Sequence, residues 1–171
     1  MGADWTRNAA LVLQFRNVTL ADVQQARTVI EPAAARMLAS ARDRRAAAGE
    51  LRELINAQQE AIGDPAAFGK ANADFHERLV ALAGNQTLEI VAEMLNEIVE
   101  RAVTAVSQST SANGSLAIRR RGIKSQERLV ELIALGAGNE AEAHWRSHME
   151  VVGKVILGQR ATRVVDLFDH Y

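Results

Sequence analysis

The run DPAAFGKANADFHERLVALAG, residues 64–84, decides the fold. Asp64 is a strong helix N-cap, Pro65 follows at the first helical position, where its missing N–H is no loss, and Gly84 ends the segment. Between these marks Phe68, Phe75, Leu79 and Leu82 supply an apolar stripe for packing. Asn72 and His76 lie four residues apart and so share one face of the same helix. Phe68, Phe75 and Leu79 are nearest that face, which therefore turns partly inward. A buried polar group without a partner costs about 1–3 kcal/mol. Asn72 and His76, joined by Gln126 and His148 from later helices, thus call for a shared partner: one another, water, a metal or a ligand. The implied object is a helical bundle with a small polar chamber at its centre, a binding site more readily than a catalytic one.

The same punctuation divides the rest of the chain. Thr19 caps a helix predicted over 20–42, with Asp22 completing a capping-box-like pair ahead of Val23, Ile30, Met37 and Leu38. Pro32 falls inside it, so a kink or a restart as two shorter helices is expected there. Leu51, Leu54, Ile55 and Ile62 mark a second helix over 44–62, closed by Gly63. After the 64–84 helix, Asn85 or Thr87 opens a fourth, with Leu88, Val91, Leu95, Ile98, Ala102 and Val106 as its stripe. The polar tract 107–114 reads as a mobile loop, a fifth helix spans 115–135, and a sixth covers 139–159 after the stop at Gly136-Ala137-Gly138-Asn139. No β-alternation of useful length and no fixed-period repeat is present. The fold class is all-α, an antiparallel bundle of six or seven helices with a central polar cavity. Residues 1–18 read as a linker or N-terminal arm, 19–162 as the helical domain and 163–171 as a C-terminal tail.

Composition removes several classes of function. A chain of 171 residues suits one domain with a proper core, and 48% hydrophobic against 24% charged residues excludes wholesale disorder. The absence of cysteine excludes disulfide staples, thiolate metal sites and a cysteine nucleophile. No apolar run reaches membrane-spanning length and no signal-peptide pattern opens the chain, so no membrane contact and a cytoplasmic location are expected. A net charge of -1 leaves no global electrostatic footprint for nucleic acid. A di-iron bundle needs paired Glu-x-x-His motifs, yet the residues three before His76, His144, His148 and His170 are Ala73, Ala141, Trp145 and Leu167. His144 and His148 form an i, i+4 pair without the glutamate of a zinc-protease helix. No Ser-His-Asp order, phosphate loop or dinucleotide fingerprint is visible.

Four stretches, in order, resemble one known family. Val18-Thr19-Leu20-Ala21-Asp22-Val23 through Arg27, with Ile30-Glu31-Pro32-Ala33-Ala34, resembles the opening helix of the C-terminal effector-binding (FCD) domain of FadR-subfamily GntR transcription regulators. Phe75-His76, Leu79 and Ala83-Gly84-Asn85 with Leu88 are similar to that domain's central signature. Leu129 to Ile133, and Ala143-His144-Trp145-Arg146-Ser147-His148-Met149, are similar to its last two helices. The resemblance covers about residues 17–160. It implies an antiparallel bundle whose polar centre binds a small metabolite, typically a carboxylate, in a homodimeric regulator. Many members hold a divalent metal there, with an aspartate four residues before a first histidine and two later histidines. His76 and His148 match the first and last of these, while Asn72 stands where the aspartate is expected and Gln126 where the middle histidine is expected.

Two imidazoles and two neutral amides lack the anionic ligand that makes such a site tight. No cofactor is therefore expected beyond weak binding of a divalent metal such as zinc at His76 and His148. Asp74 is no substitute, lying two residues from His76 on the wrong side of the helix. The expected ligand-binding set is Arg27, Asn72, His76, Arg101, Gln126 and His148. Arg27 matches a family arginine that faces the pocket and offers a bidentate fork to a carboxylate; alternatively it pairs with Glu31, four residues on. Arg101 either plays a similar part or pairs with Glu97. His144 is read as an ordinary core or surface histidine, and Arg119-Arg120-Arg121 as a solvated turn. Residues 1–18 are too short for the family's winged helix, so DNA binding is expected only through a domain outside this chain. No catalytic residue is assigned. A small metal-dependent bundle enzyme would need an anionic base that this set lacks, and a pure dimerisation module would need a dry core.

Overall fold

The computed structural model describes residues 8, 11–13, 16–109 and 112–158, and for 101–109 and 112–113 the backbone alone. Beyond residue 16 the described chain forms six helices: α1 (Leu20–Ala39), α2 (Arg44–Glu60), α3 (Pro65–Leu82), α4 (Gln86–Ser109), α5 (Ala112–Leu135) and α6 (Gly138–Leu157). No strand occurs among the described residues, and the class is all-α. The proposed arm falls largely on residues outside the description, and the proposed tail wholly so.

Local chemistry starts and stops these helices where the sequence signals it. Thr19 Oγ1 accepts from Asp22 N at 3.2 Å while the Asp22 carboxylate accepts from Thr19 N at 3.2 Å, a complete capping box for α1. Asp64 Oδ1 accepts from Ala66 N and Ala67 N at 2.9 and 3.0 Å, with Pro65 opening α3. Asn85 Oδ1 accepts from Leu88 N at 3.1 Å and opens α4. Gly84 and Gly136 follow α3 and α5 with φ of 82° and 77°, the left-handed region where a side chain would be strained.

Of the two outcomes expected at Pro32, the restart as two shorter helices is corrected: α1 continues through it as one element. Proline in a helix interior costs about 3 kcal/mol, but Pro32 is buried among Glu31, Ala34, Ala35 and Leu38, and packing holds the helix across it. The loop expected over 107–114 is also mostly helix: residues 107–109 close α4 and 112–114 open α5, while Thr110 and Ser111 lie outside the described residues. Ser115 is 4% exposed, so this weak helix-former is held by tertiary contact, which overrides local propensity.

Helix α1 packs along α6, α2 along α5, and α3 against both α2 and α4, with α1 also reaching α3, α4 and α5. Leu38, Leu51, Phe75, Leu79, Leu129, Ile133, Trp145 and Met149 fill the resulting core. At Gly153 of α6 an added Cβ would stand 3.1 Å from Gln24 Cγ of α1, so the two helices meet tightly there. Gln24 Nε2 donates to the Met149 carbonyl at 3.0 Å beside it. Polar side chains of α1, α3 and α6 meet at Glu31, His76 and Trp145.

Candidate functional site

A carboxylate organises the polar centre. Glu31 is 1% exposed. Its Oε2 accepts from His76 Nδ1 at 2.6 Å and from Trp145 Nε1 at 3.0 Å. Arg27 Nη2 lies 2.9 Å from Oε1, close enough for ion pairing but not aligned as a hydrogen bond. Arg27 also donates through Nε to Asn96 Oδ1 at 3.0 Å and through Nη1 to Gln24 Oε1 at 3.1 Å. Of its two readings, the pair with Glu31 is the arrangement observed. The guanidinium is engaged within α1 and towards α4, away from the pocket described below.

Burial alone would raise the Glu31 carboxyl, but the Arg27 charge, His76 and the hydrogen bonds from His76 and Trp145 reverse that and lower it to about 2. An ionised Glu31 fixes the His76 tautomer: Nδ1 carries the proton and Nε2 a lone pair. Burial holds His76 below the usual histidine range, against the pull of Glu31 and with help from Arg27. His148 is lowered to about 3, by burial first and then by His76. Its ring stacks on Trp145 with centroids 4.2 Å apart, and lies 6.3 Å from the His76 ring. Both imidazoles are therefore neutral at pH 7.

A pocket of about 360 Å³ lies between α3, α5 and α6. Asn72, His76, Ser125 and His148 make one polar end. Ile118, Val151, Val152 and Val155 form an apolar wall, and Phe68 lies two turns of α3 below His76. Arg119 sits over Phe68, its guanidinium carbon 5.5 Å from the ring centroid. It is 4% exposed, donating through Nη1 to the Ile62 carbonyl and through Nη2 to Ser115 Oγ at 2.8 Å. Its Nε is buried without a partner, and no carboxylate among the described residues pairs with it. The expected solvated turn is thus corrected at its first residue; Arg121 is exposed and marks the mouth.

Of the predicted set, Asn72, His76 and His148 converge on the pocket. Gln126 lies behind Asn72 in the core: its Oε1 accepts from Gln58 Nε2 at 2.6 Å and its Nε2 donates to Asn72 Oδ1 at 3.2 Å. That chain occupies the Asn72 oxygen and leaves Nδ2 as the donor for the pocket. Arg101 belongs to α4, and its side chain lies outside the described residues. His144 lines the rim, where its Nε2 donates to the Ser125 carbonyl at 2.8 Å. Asp74 pairs with Lys70 at 3.1 Å, away from His76.

Glu31, Trp145 and Arg119 were not in the predicted set, although each carries a readable signal. Glu31 continues the stripe of Val23, Arg27, Ala34 and Leu38, Trp145 that of Ala141, Met149, Gly153 and Ile156, and Arg119 begins one with Ile123, Gln126, Val130 and Ile133. A metal fits these side chains poorly. Among the described residues no three His, Cys, Asp or Glu side chains gather as ligands. The His76 and His148 rings lie within 20° of parallel, and the nearby amides are neutral and bonded to each other.

A family model for the FCD domain matches residues 22–151, from the start of α1 into α6. No curated protein and no solved structure matches the chain.

Proposed function

This chain belongs to the FCD family, the C-terminal effector-binding domains of GntR-type regulators, and on that premise we propose that it is a FadR-subfamily sensor whose pocket binds a small carboxylate. One observation carries the choice of ligand: the described lining holds Arg119, Arg121 and three histidines but no aspartate or glutamate. An anion entering it meets cations and hydrogen-bond donors and no like charge in the wall. His76 and His148 are neutral at pH 7 and no carboxylate base is among the described lining residues, which favours binding over catalysis.

In this reading a ligand that prefers one packing of α3, α5 and α6 biases the placement of a winged-helix domain outside this chain, and so DNA binding. The regulator works in the cytoplasm as a homodimer, for which exposed Val29 and Met37 on α1 and Ile90 on α4 offer apolar surface. Any divalent metal, zinc for example, binds weakly through His76 and His148. No described helix is long and apolar enough to cross a membrane.

A thermal-shift screen of small carboxylates, with and without zinc, tests the proposal. A ligand at ~100 times its Kd adds about 2.7 kcal/mol to the folded state. The shift is expected to shrink in Arg121→Gln and His76→Ala. If no carboxylate stabilises the chain, or both variants keep every shift, the proposal fails.

A further inference from the structure

The pocket is polar at both ends, and the ends differ in kind. At one end His76 commits Nδ1–H to Glu31 at 2.6 Å, leaving Nε2 as an acceptor. The buried Glu31 carboxylate lies directly behind that ring, so a second carboxylate brought here would face a like charge in a poorly screened site. A neutral hydroxyl suits this end: it donates to His76 Nε2, and the Asn72 amide, turned by Gln126, donates back. At the other end stands Arg119, a buried cation with no counter-charge among the described residues and an unmatched Nε. Burying a charge unpaired is strongly disfavoured, and this one lines a cavity. Exposed Arg121 adds a second guanidinium at the mouth.

We propose that the pocket takes an acid with a donor at its far end, its carboxylate at Arg119 and Arg121 and its hydroxyl at His76 Nε2: a phenolic or ω-hydroxy acid. The inference rests on the effector-site reading and gives it an orientation. His76 and Phe68, over which Arg119 lies, are eight residues apart on α3, or ~12 Å. That backbone separation is far longer than the two or three bonds between the hydroxyl and carboxylate of a 2-hydroxy acid. An aryl ring or a chain of several carbons between the two groups suits it. Ile118, Val151, Val152 and Val155 flank the middle, where an apolar body packs.

Calorimetric titration of the full chain with 4-hydroxyphenylacetate tests this, alongside phenylacetate, 4-hydroxyphenylacetamide, 6-hydroxyhexanoate and L-lactate. Phenylacetate and the amide are each expected to bind about tenfold more weakly than the parent. Arg121→Gln, a surface change, should erase the preference for acid over amide and keep the preference for the hydroxyl. Arg119→Gln should do the same, its folding checked by the urea midpoint. Equal binding of phenylacetate and its hydroxylated parent overturns the orientation, as does an unchanged acid-to-amide ratio in both variants. If neither 4-hydroxyphenylacetate nor 6-hydroxyhexanoate binds but L-lactate does, the orientation falls while the effector reading stands. If no carboxylate binds, with or without zinc, both fall.

Discussion

Glu31→Gln is the sharpest test of how this bundle is held together. The substitution keeps the shape of the side chain and removes the one negative charge facing Arg27, which is 2% exposed. Breaking a buried pair by neutralising one member costs about 3–5 kcal/mol, because the other charge stays buried. A second route gives a similar size. The Glu31 carboxyl falls from 4.5 to about 2 on folding, and at about 1.4 kcal/mol per pH unit that is worth ~3 kcal/mol at neutral pH. In a chain of this length ~3 kcal/mol lowers the melting temperature by roughly 6–12 °C. Urea unfolding at fixed protein concentration, followed by circular dichroism, reads the change as a lower midpoint at constant slope. Removing both charges in Glu31→Gln/Arg27→Met should restore much of the loss, since an apolar side chain in place of a buried ion is tolerated. A loss below 1 kcal/mol for Glu31→Gln, or no recovery in the double variant, would refute the account.

Stability should also fall with pH in two stages. His148 is held to about 3 in the folded chain, below its unfolded value, so the unfolded state binds more protons and stability drops beneath pH 6.5, by ~1.4 kcal/mol per pH unit from that ring. Glu31 is lowered too, so its contribution is complete above 4.5 and is lost as pH falls from there towards 2. Urea midpoints at pH 7.5, 6.0 and 5.0 measure the first stage, and His148→Phe should reduce its slope, leaving the share that buried His76 adds in the same sense; an unchanged slope contradicts the assignment. Asn72→Asp should bind zinc at least tenfold more tightly than the parent by calorimetry, since it adds an anionic ligand beside His76 in the pocket; equal affinities would mean that the neutral amide is not what weakens metal binding. Thr19→Ala should cost about 1 kcal/mol through loss of the capping box, and a neutral result would mean α1 is fixed by packing alone.

What the sequence made legible was local. Asp64-Pro65, Thr19 with Asp22, Asn85 and the two glycines at positive φ act within a few residues, so their chemistry could be read without the fold. Asn72 and His76 could be placed together for the same reason, by helical spacing. The reading failed where distant packing decides. An Arg27–Glu31 pair looks the same on a surface as in a core, and only contact with His76, 45 residues on, and Trp145, 114 residues on, makes it the centre. The serine-rich tract that closes α4 and opens α5 lacks local helix propensity, yet Ser115, just inside α5, is buried and bonded to Arg119. Successive residues on a helix turn by 100°, so in a run of three arginines one can face inward while its neighbours face water; composition cannot say which.

The internal carboxylate also separates the two roles that an arginine can play here. Because Glu31 neutralises Arg27, the cation on α1 serves the fold, and the cations left to a ligand are those of α5. His76 stands between the two systems, with Nδ1 on Glu31 and its other nitrogen left to the cavity. A donor bound at Nε2 polarises the ring and strengthens the Nδ1–H bond to Glu31, which also receives Trp145 of α6. In the proposed binding mode, occupancy of the cavity therefore tightens a junction of α1, α3 and α6, and removing Glu31 should weaken both the hold on the ligand's donor and the coupling of binding to helix packing. The polar face that began as a pair of side chains on α3 acts on the rest of the bundle through that single carboxylate.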